Sequence, residues 1–435
     1  MKLSLVPWLV LLALIAAACG ANESGSPRSL AFTNEPVVLT VWGWDGVFAP
    51  ALVESFEASN PDIRVDIRTS GFDQHHTGVQ NAIIDDGSLP DVVAIERTYL
   101  PDFLAYPEAF VDLATFGADE LAPTFLPWRW EEGVADGGQI IGMPTDVGGL
   151  ALAYRSDLFE EAGLPSNPED VADRVRTWDD FFELGEEFQR STATSHFVDS
   201  FDSLYRVRLG QEEHAYVDDA GQPDFEAGVA TAWQFTVDAI DSDLTAGFAQ
   251  FSPEWNAGFS DDSFAAIAAP SWMRGYIAGV APETASLWSI VPVPGTGGNW
   301  GGSQLAVTDR GESSTEAWRF VEFMTSVETQ LELFRINGNF PSTPELYETP
   351  EISELDDAFF GGQNVGRIYA ASVEALPSQP TAPGQRDLDR IFAGGLAAVQ
   401  LGEVESDVAW ETSLDRAAEL LATMSASPLR ETDAR

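Results

Sequence analysis

Tryptophan is the residue type most able to do chemistry here. The chain carries 13 tryptophans in 435 residues, and several stand beside acids, amides or arginines: Trp42, Trp44 and Asp45; Trp255 and Asn256; Trp272 and Arg274; Asn299 and Trp300. An indole offers a flat apolar face, and its neighbours offer hydrogen-bond donors and acceptors. That combination suits a neutral sugar, whose ring has apolar C–H faces and whose hydroxyls need partners. A good pocket for such a ligand is apolar-walled with a few convergent polar groups. Large aromatics also fill cores, so position has to decide. Trp42 falls inside a strand and fits a core as well as a site. Trp44 and Asp45 fall at that strand's end and are expected in the site. Trp300 lies in a glycine-rich stretch, where hinge packing is the alternative. Trp318 lies in an amphipathic helix and is expected to be structural.

Other chemistry finds little footing. The four histidines are His75, His76, His196 and His214. Adjacent histidines point different ways on any regular element, and no H-E-x-x-H is present, so no metal site is expected. The glycines from Gly295 to Gly302 lack the Lys-Ser/Thr of a phosphate loop and the order G-x-G-x-x-G, which leaves hinge flexibility. No G-x-S-x-G nucleophile elbow occurs. No cofactor is expected.

The elements that must position these residues follow a strand–helix rhythm. Val37 to Trp42 is β-rich. Leu52, Val53 and Phe56 have helical spacing between Pro50 and Ala58, and Asn60-Pro61 ends that helix. Ile63, Val65 and Ile67 alternate with polar residues as a strand does. A helix is expected over Thr77 to Asp86 and a strand over Asp91 to Ile95. Ile140 to Pro144 and Ala151 to Tyr154 read as strands. Thr177 with Asp180, and Ser313 with Glu316, resemble capping boxes. The second should open one helix carrying Ala317, Phe320, Val321, Met324, Leu331 and Phe334, ending near Gly338. Alternating strands and helices imply a parallel α/β sheet, and such sheets bind ligands beyond the carboxyl ends of their strands. That rule adds Glu96, Asp73 and Gln74 to the candidates, with surface or loop placement as the alternative for each.

Composition bounds the rest. The acids number 70 and the bases 22, Lys2 is the only lysine, and the formal charge is −48. Such a surface repels nucleic acid and anionic membrane, disfavours a highly anionic ligand, and serves solubility. The N-terminus has Lys2, then an apolar run from Leu5 to Ala18, then Cys19 after three small residues. That is a secretory signal layout, 1–18, with a run shorter than the about 20 residues of a transmembrane helix. Cys19 is the only cysteine, so no internal disulfide is possible. It resembles a lipobox cysteine, which would be acylated and followed by a tether over 19–35. An ordinary cleaved signal is the alternative. About 415 mature residues exceed a single-core size and predict two domains.

Several segments taken in order resemble the extracellular carbohydrate-binding proteins of ABC importers, the group that includes the maltose-binding protein. They are "LTVWGWDG", "FEASNPDIRVDI", "LPDVVAIER", "GGQIIGMPTDVGGLALAYRSDLFEEAGLP" with "TWDDFF", and "SWMRGYIAGVAPETASLWSIVPVP" followed by "NWGGSQLAVTDRGESSTEAWRFVEFMTSVETQ". Together they run from about Val37 to Leu346. The "SWM…GY" and "NWGG" pair is most similar to members binding arabinose-type or lactose-type sugars. The resemblance implies a two-lobe type II periplasmic-binding-protein fold with hinge crossovers and a ligand cleft. Lobe 1 would be 36–146 plus 299–342, and lobe 2 would be 147–298 plus 343–430. It implies that Asp146, in the "P-x-D" position at the crossover, faces the ligand or caps the hinge, and that Trp272 faces the ligand. Arg367 enters on family position alone. The implied protein is a monomeric, lipid-anchored receptor that passes a sugar to ABC permease subunits and is not an enzyme. An exported polysaccharide-active enzyme would instead need paired carboxylates roughly 5–5.5 or 6.5–9.5 Å apart. A peptide- or polyamine-binding receptor of the same fold is the third reading.

Overall fold

A computed structural model describes residues 35–192 and 194–426. The expected signal peptide, Cys19 and nearly all of the expected tether lie outside the described residues. Among the described residues no helix is long and apolar enough to cross a membrane.

The first sheet has the order β2-β1-β3-β9-β4, from β1 (Val37–Trp44), β2 (Ile63–Ser70), β3 (Val92–Glu96), β4 (Gly142–Pro144) and β9 (Ser303–Val307). The second has the order β6-β7-β5-β8, from β5 (Leu150–Arg155), β6 (His196–Val198), β7 (Phe264–Pro270) and β8 (Trp288–Pro292). Successive side chains of a strand point to opposite faces. In β3, Val92 and Ala94 enter one apolar cluster, and Val93 and Ile95 enter another across the sheet. In β5, Leu150, Leu152 and Tyr154 lie on one face while Ala151 and Ala153 lie on the other. Both strands are therefore covered on two sides, which is why they are apolar throughout rather than alternating.

The expected parallel sheet is found only in part. β1 pairs in parallel with β2 and β3, but β9 runs antiparallel to β3 and β4. β9 enters from the second sheet's side, not from a preceding helix crossover, so the one-way rule of βαβ units does not apply to it. The helix expected over Thr77 to Asp86 spans Phe72–Ile84. It buries His75 and His76 near its start, which hydropathy spacing counted as polar. The helix expected to run from Ser313 to Gly338 is two helices, Ser314–Thr325 and Val327–Asn337. Ser313 makes no side-chain cap, whereas Ser326 adopts extended backbone and accepts from Thr329 N–H at the junction. A serine in the middle of the pattern thus starts a second helix. The Thr177–Asp180 box forms with both reciprocal bonds.

The chain passes between the sheets at three places, and one carboxylate ties them. Asp146 Oδ1 accepts from Ser303 N–H (2.9 Å) and Thr145 Oγ1 (2.7 Å), and Oδ2 accepts from Asn339 Nδ2 (2.7 Å). Single bridges join Val147 to Phe340 and Gly149 to Asn299. Gly148 allows the close approach: a Cβ there would meet the Trp300 carbonyl oxygen at 1.8 Å. A further apolar cluster joins helices Phe201–Gly210, Gly228–Asp241, Gln385–Gln400 and Ser406–Ala426 through residues such as Tyr205, Trp233, Phe392 and Ala417.

Candidate functional site

A cavity of about 560 Å³ opens between the two sheets. Phe72, Glu96 and Thr98 reach it from the first sheet's strand ends. Ser200, Asp202, Arg206 and the loop Gly247–Phe251 reach it from the second sheet's side. Trp300 enters from a crossover, and Arg386, Gln400 and Leu401 come from the helix Gln385–Gln400 and its end.

Glu96 ends β3. Its carboxylate is buried and accepts from Thr98 N–H at 2.8 Å. Burial raises its pKa against the lowering effect of Thr98's donors. Its backbone N–H donates to His76 Nε2 (3.0 Å), and His76 Nδ1 bonds the Phe72 carbonyl (2.8 Å). His75 Nε2 bonds the Ala94 carbonyl at 2.8 Å. Both imidazoles therefore hold the end of β3 in place. Burial drops His76 to about 3, which keeps it neutral.

The Tyr99 ring stacks on His76, with centroids 4.0 Å apart and planes 2° apart, and Arg386 lies 4.1 Å from its centroid. Arg386 also pairs with Asp73 at 2.5 Å and reaches Thr98 Oγ1 at 3.3 Å. Tyr99 Oη donates to the same Asp73 oxygen. Burial pushes Asp73 up, but the Tyr99 bond and the Arg386 charge outweigh it and hold the pKa low. This joint, with Gly384 N–H donating to Asp102 (2.6 Å), draws the C-terminal helices against the first sheet. On the far wall, Arg206 pairs with Asp202 (2.9 Å) and sits 5.3 Å from the Trp300 ring centre. The lining thus holds two acids, Glu96 and Asp202, and two bases, Arg206 and Arg386.

Of the sequence candidates, the structure brings Glu96 and Trp300 together in this cavity. Asp73 stands one shell back, holding Arg386. Trp272 also stands behind the wall: its Nε1 donates to the Trp300 carbonyl (3.2 Å) and its ring packs 5.6 Å from Trp300. Trp44 packs 5.4 Å from Phe72 but lines a different hollow of about 400 Å³ with Phe48, Val53 and Ile67. Asp45 and Gln74 are exposed and line neither. Asp146 is spent on the crossovers. Trp255 is fully buried and donates from Nε1 to Asp199 (2.8 Å). Arg274 pairs with Asp357 at 2.5 Å, and Arg367 donates to the Ser353 carbonyl at 3.0 Å, both away from the cavity. Among the described residues no group of three or more His, Cys, Asp or Glu is placed to hold a metal.

Sequence reasoning missed Phe72, Asp202, Arg206, Phe251, Arg386 and Gln400. Phe72 directly precedes Asp73 at a strand end, so the strand-end rule pointed within one residue of it. The others sit on helices and a loop far along the chain, without a local signal.

Residues 51–359 match the family model described as bacterial extracellular solute-binding protein. The chain is 25% identical over 407 residues to a lactose-binding protein of Rhizobium radiobacter, covering 87% of this chain and 91% of that one. It is 25% identical over 353 residues to an arabinooligosaccharide-binding protein of Halalkalibacterium halodurans, covering 76% and 77%. A crystal structure of an extracellular solute-binding protein of family 1 superposes with a TM-score of 0.83 at 30% identity, covering 88% of this chain and 99% of that chain.

Proposed function

The chain belongs to the bacterial extracellular solute-binding proteins, and from that premise we propose that it captures a sugar or short oligosaccharide for uptake by an ABC-type importer. One observation carries the ligand class. Phe72 and Phe251 are 37% and 48% exposed, and both line the same cavity beside Trp300. Exposed rings cost hydration unless a ligand covers them, and the polar groups between them suit hydroxyls. The acids and bases in the lining are equal in number, which favours a neutral ligand. Relatives that bind lactose and arabinooligosaccharide support the same class. The protein would act as a monomer, with lobes of 36–146 plus 299–342 and 147–298 plus 343–430, and without catalysis.

Calorimetry with lactose, maltose and arabinotriose tests this. At least one should bind, and Phe72→Ala should weaken it about tenfold or more. Binding to none of these and to no other neutral saccharide, or release of cleaved product from them, would refute the reading.

The same proposal places the protein outside the cytoplasm, held by a lipid on Cys19. Cys19 follows Ala16-Ala17-Ala18 and precedes a polar stretch. In fractionated cells the unsubstituted protein should sediment with membranes and Cys19→Ala should be soluble or shed. A membrane-bound Cys19→Ala chain would rule the lipid anchor out.

A further inference from the structure

The hollow that Trp44 lines stands apart from the main cavity, and no residue lines both. It holds about 400 Å³ between the helix Pro50–Ser59 and the edge strand β2. Trp44, Phe48, Val65 and Ile67 wall it, and all four are half-buried. Apolar side chains left uncovered around one concavity mark a place for a ligand. The protein sets the pose of both rings: Trp44 packs on His76 at 5.1 Å and on Phe72 at 5.4 Å, and Phe48 packs on Phe320 at 6.3 Å. The charge in the lining is of one sign. Glu54 and Glu57 enter it, and no arginine, lysine or histidine does. Strand alternation explains this: Val65, Ile67 and Thr69 face the hollow, so Arg64 and Arg68 fall on the other face of β2. Glu57 is held in place by Val65 N–H, which donates to its Oε1 at 2.8 Å. The main cavity, by contrast, holds as many bases as acids.

We propose that this hollow is a second binding site, for a small organic cation with an apolar body, of the quaternary ammonium class. Aromatic faces attract such a cation, and indole is the strongest of them. Its alkyl groups cover the apolar walls while its charge meets Glu54 and Glu57. A metal ion would give up its water to walls that cannot replace it, and among the described residues no group of acids and histidines is placed to hold one. An anion would meet two glutamates with no base to offset them. A neutral sugar would leave both charges unused.

Calorimetry on the full chain tests this with choline and its neutral isostere dimethylbutanol, in which carbon replaces the charged nitrogen. Salt of about 0.15 M screens the diffuse acidic surface. Choline should bind, and dimethylbutanol should bind about tenfold more weakly or not at all. The double variant Glu54→Gln/Glu57→Gln should weaken choline about tenfold. Its fold should hold, because glutamine at 57 still accepts from Val65 N–H. Trp44→Leu should weaken choline about fivefold. Glu160→Gln/Glu161→Gln removes the same charge from an exposed pair on the helix Ser156–Glu161 and should leave choline affinity within about twofold. Whichever of lactose, maltose or arabinotriose binds the chain should not displace choline. No choline binding, equal affinity for the two probes, an equal loss in both double variants, or displacement by the saccharide would overturn the second site. A chain that binds choline but no saccharide would sink the sugar reading and leave this site standing.

Discussion

Replacing Arg129 with methionine should cost ~3–5 kcal/mol of stability, more than most single substitutions. The side chain is fully buried. Its NH1 donates to Glu132 at 2.6 Å, its NH2 to the Ser303 carbonyl at 2.7 Å, and its Nε to the Asp146 carbonyl at 3.2 Å. The last two carbonyls belong to separate crossovers, so one guanidinium pins both to the helix Pro127–Glu131. Methionine fits the volume but donates nothing. Two buried carbonyls then lose their donors, and Glu132 keeps only Arg97 at 2.6 Å. A nearly buried carboxylate left with one of its two cations is the dearer part of that loss. Adding Glu132→Gln should therefore restore part of the stability that Arg129→Met removes. Denaturant midpoints of the parent, both single variants and the double variant measure this. A double variant as unstable as the sum of the two singles would show that the pair is not coupled.

The same crossover explains what the sequence could and could not reveal. Strands β1, β2, β3 and β5 and the helix at Pro50–Ser59 follow from local pattern, because their apolar spacing reflects faces that tertiary packing also uses. The Thr177 cap was legible because its two bonds are three residues apart. Glu96 and Trp300, which line the cavity, were singled out by the rule that ligands lie beyond strand ends and by the odd setting of a tryptophan among glycines. Asp146 shows the limit of that reasoning. Its position at a crossover was right, but whether a carboxylate there meets ligand or backbone depends on Ser303 and Asn339, more than 150 residues away. Trp255 fails for the same reason: its Nε1–H needed Asp199, so a tryptophan beside an amide was core. Arg386 is the converse case. Nothing near it in sequence suggests a site, yet its helix delivers it onto Tyr99 and Asp73 from the far end of the chain.

Asp199→Asn should stabilise the protein at pH 8 by on the order of 1–3 kcal/mol, and the gain should vanish by about pH 4. Asp199 is fully buried, and burial raises its carboxyl from 3.8 to about 6. Its partners are neutral: Ser203 Oγ at 2.6 Å, Trp255 Nε1 at 2.8 Å and Gln250 Nε2 at 3.3 Å. The unfolded carboxyl titrates near 3.8, so between pH 3.8 and 6 the folded chain holds a proton that the unfolded chain has released. Stability from this group therefore rises as pH falls through that window and is lost as pH climbs back through it. Ionising it in place above pH 6 costs up to about 3 kcal/mol. Asparagine removes that cost and keeps the bonds. Its oxygen accepts from Trp255 and Gln250. Its amide donates to Ser203 Oγ, whose own proton goes to the Ser200 carbonyl 2.9 Å away. His76 has the opposite sign: held near 3 when folded and 6.5 when unfolded, it loses stability as pH falls below 6.5. That contribution is common to both proteins and cancels in their difference, so the measurement is the difference in unfolding free energy from pH 4 to 8. Saccharide affinity should be unchanged, because the amide still holds Gln250 beside Phe251. A difference that is flat with pH, or an asparagine variant weaker than the parent at pH 8, would mean that Asp199 is not a charge buried at a cost.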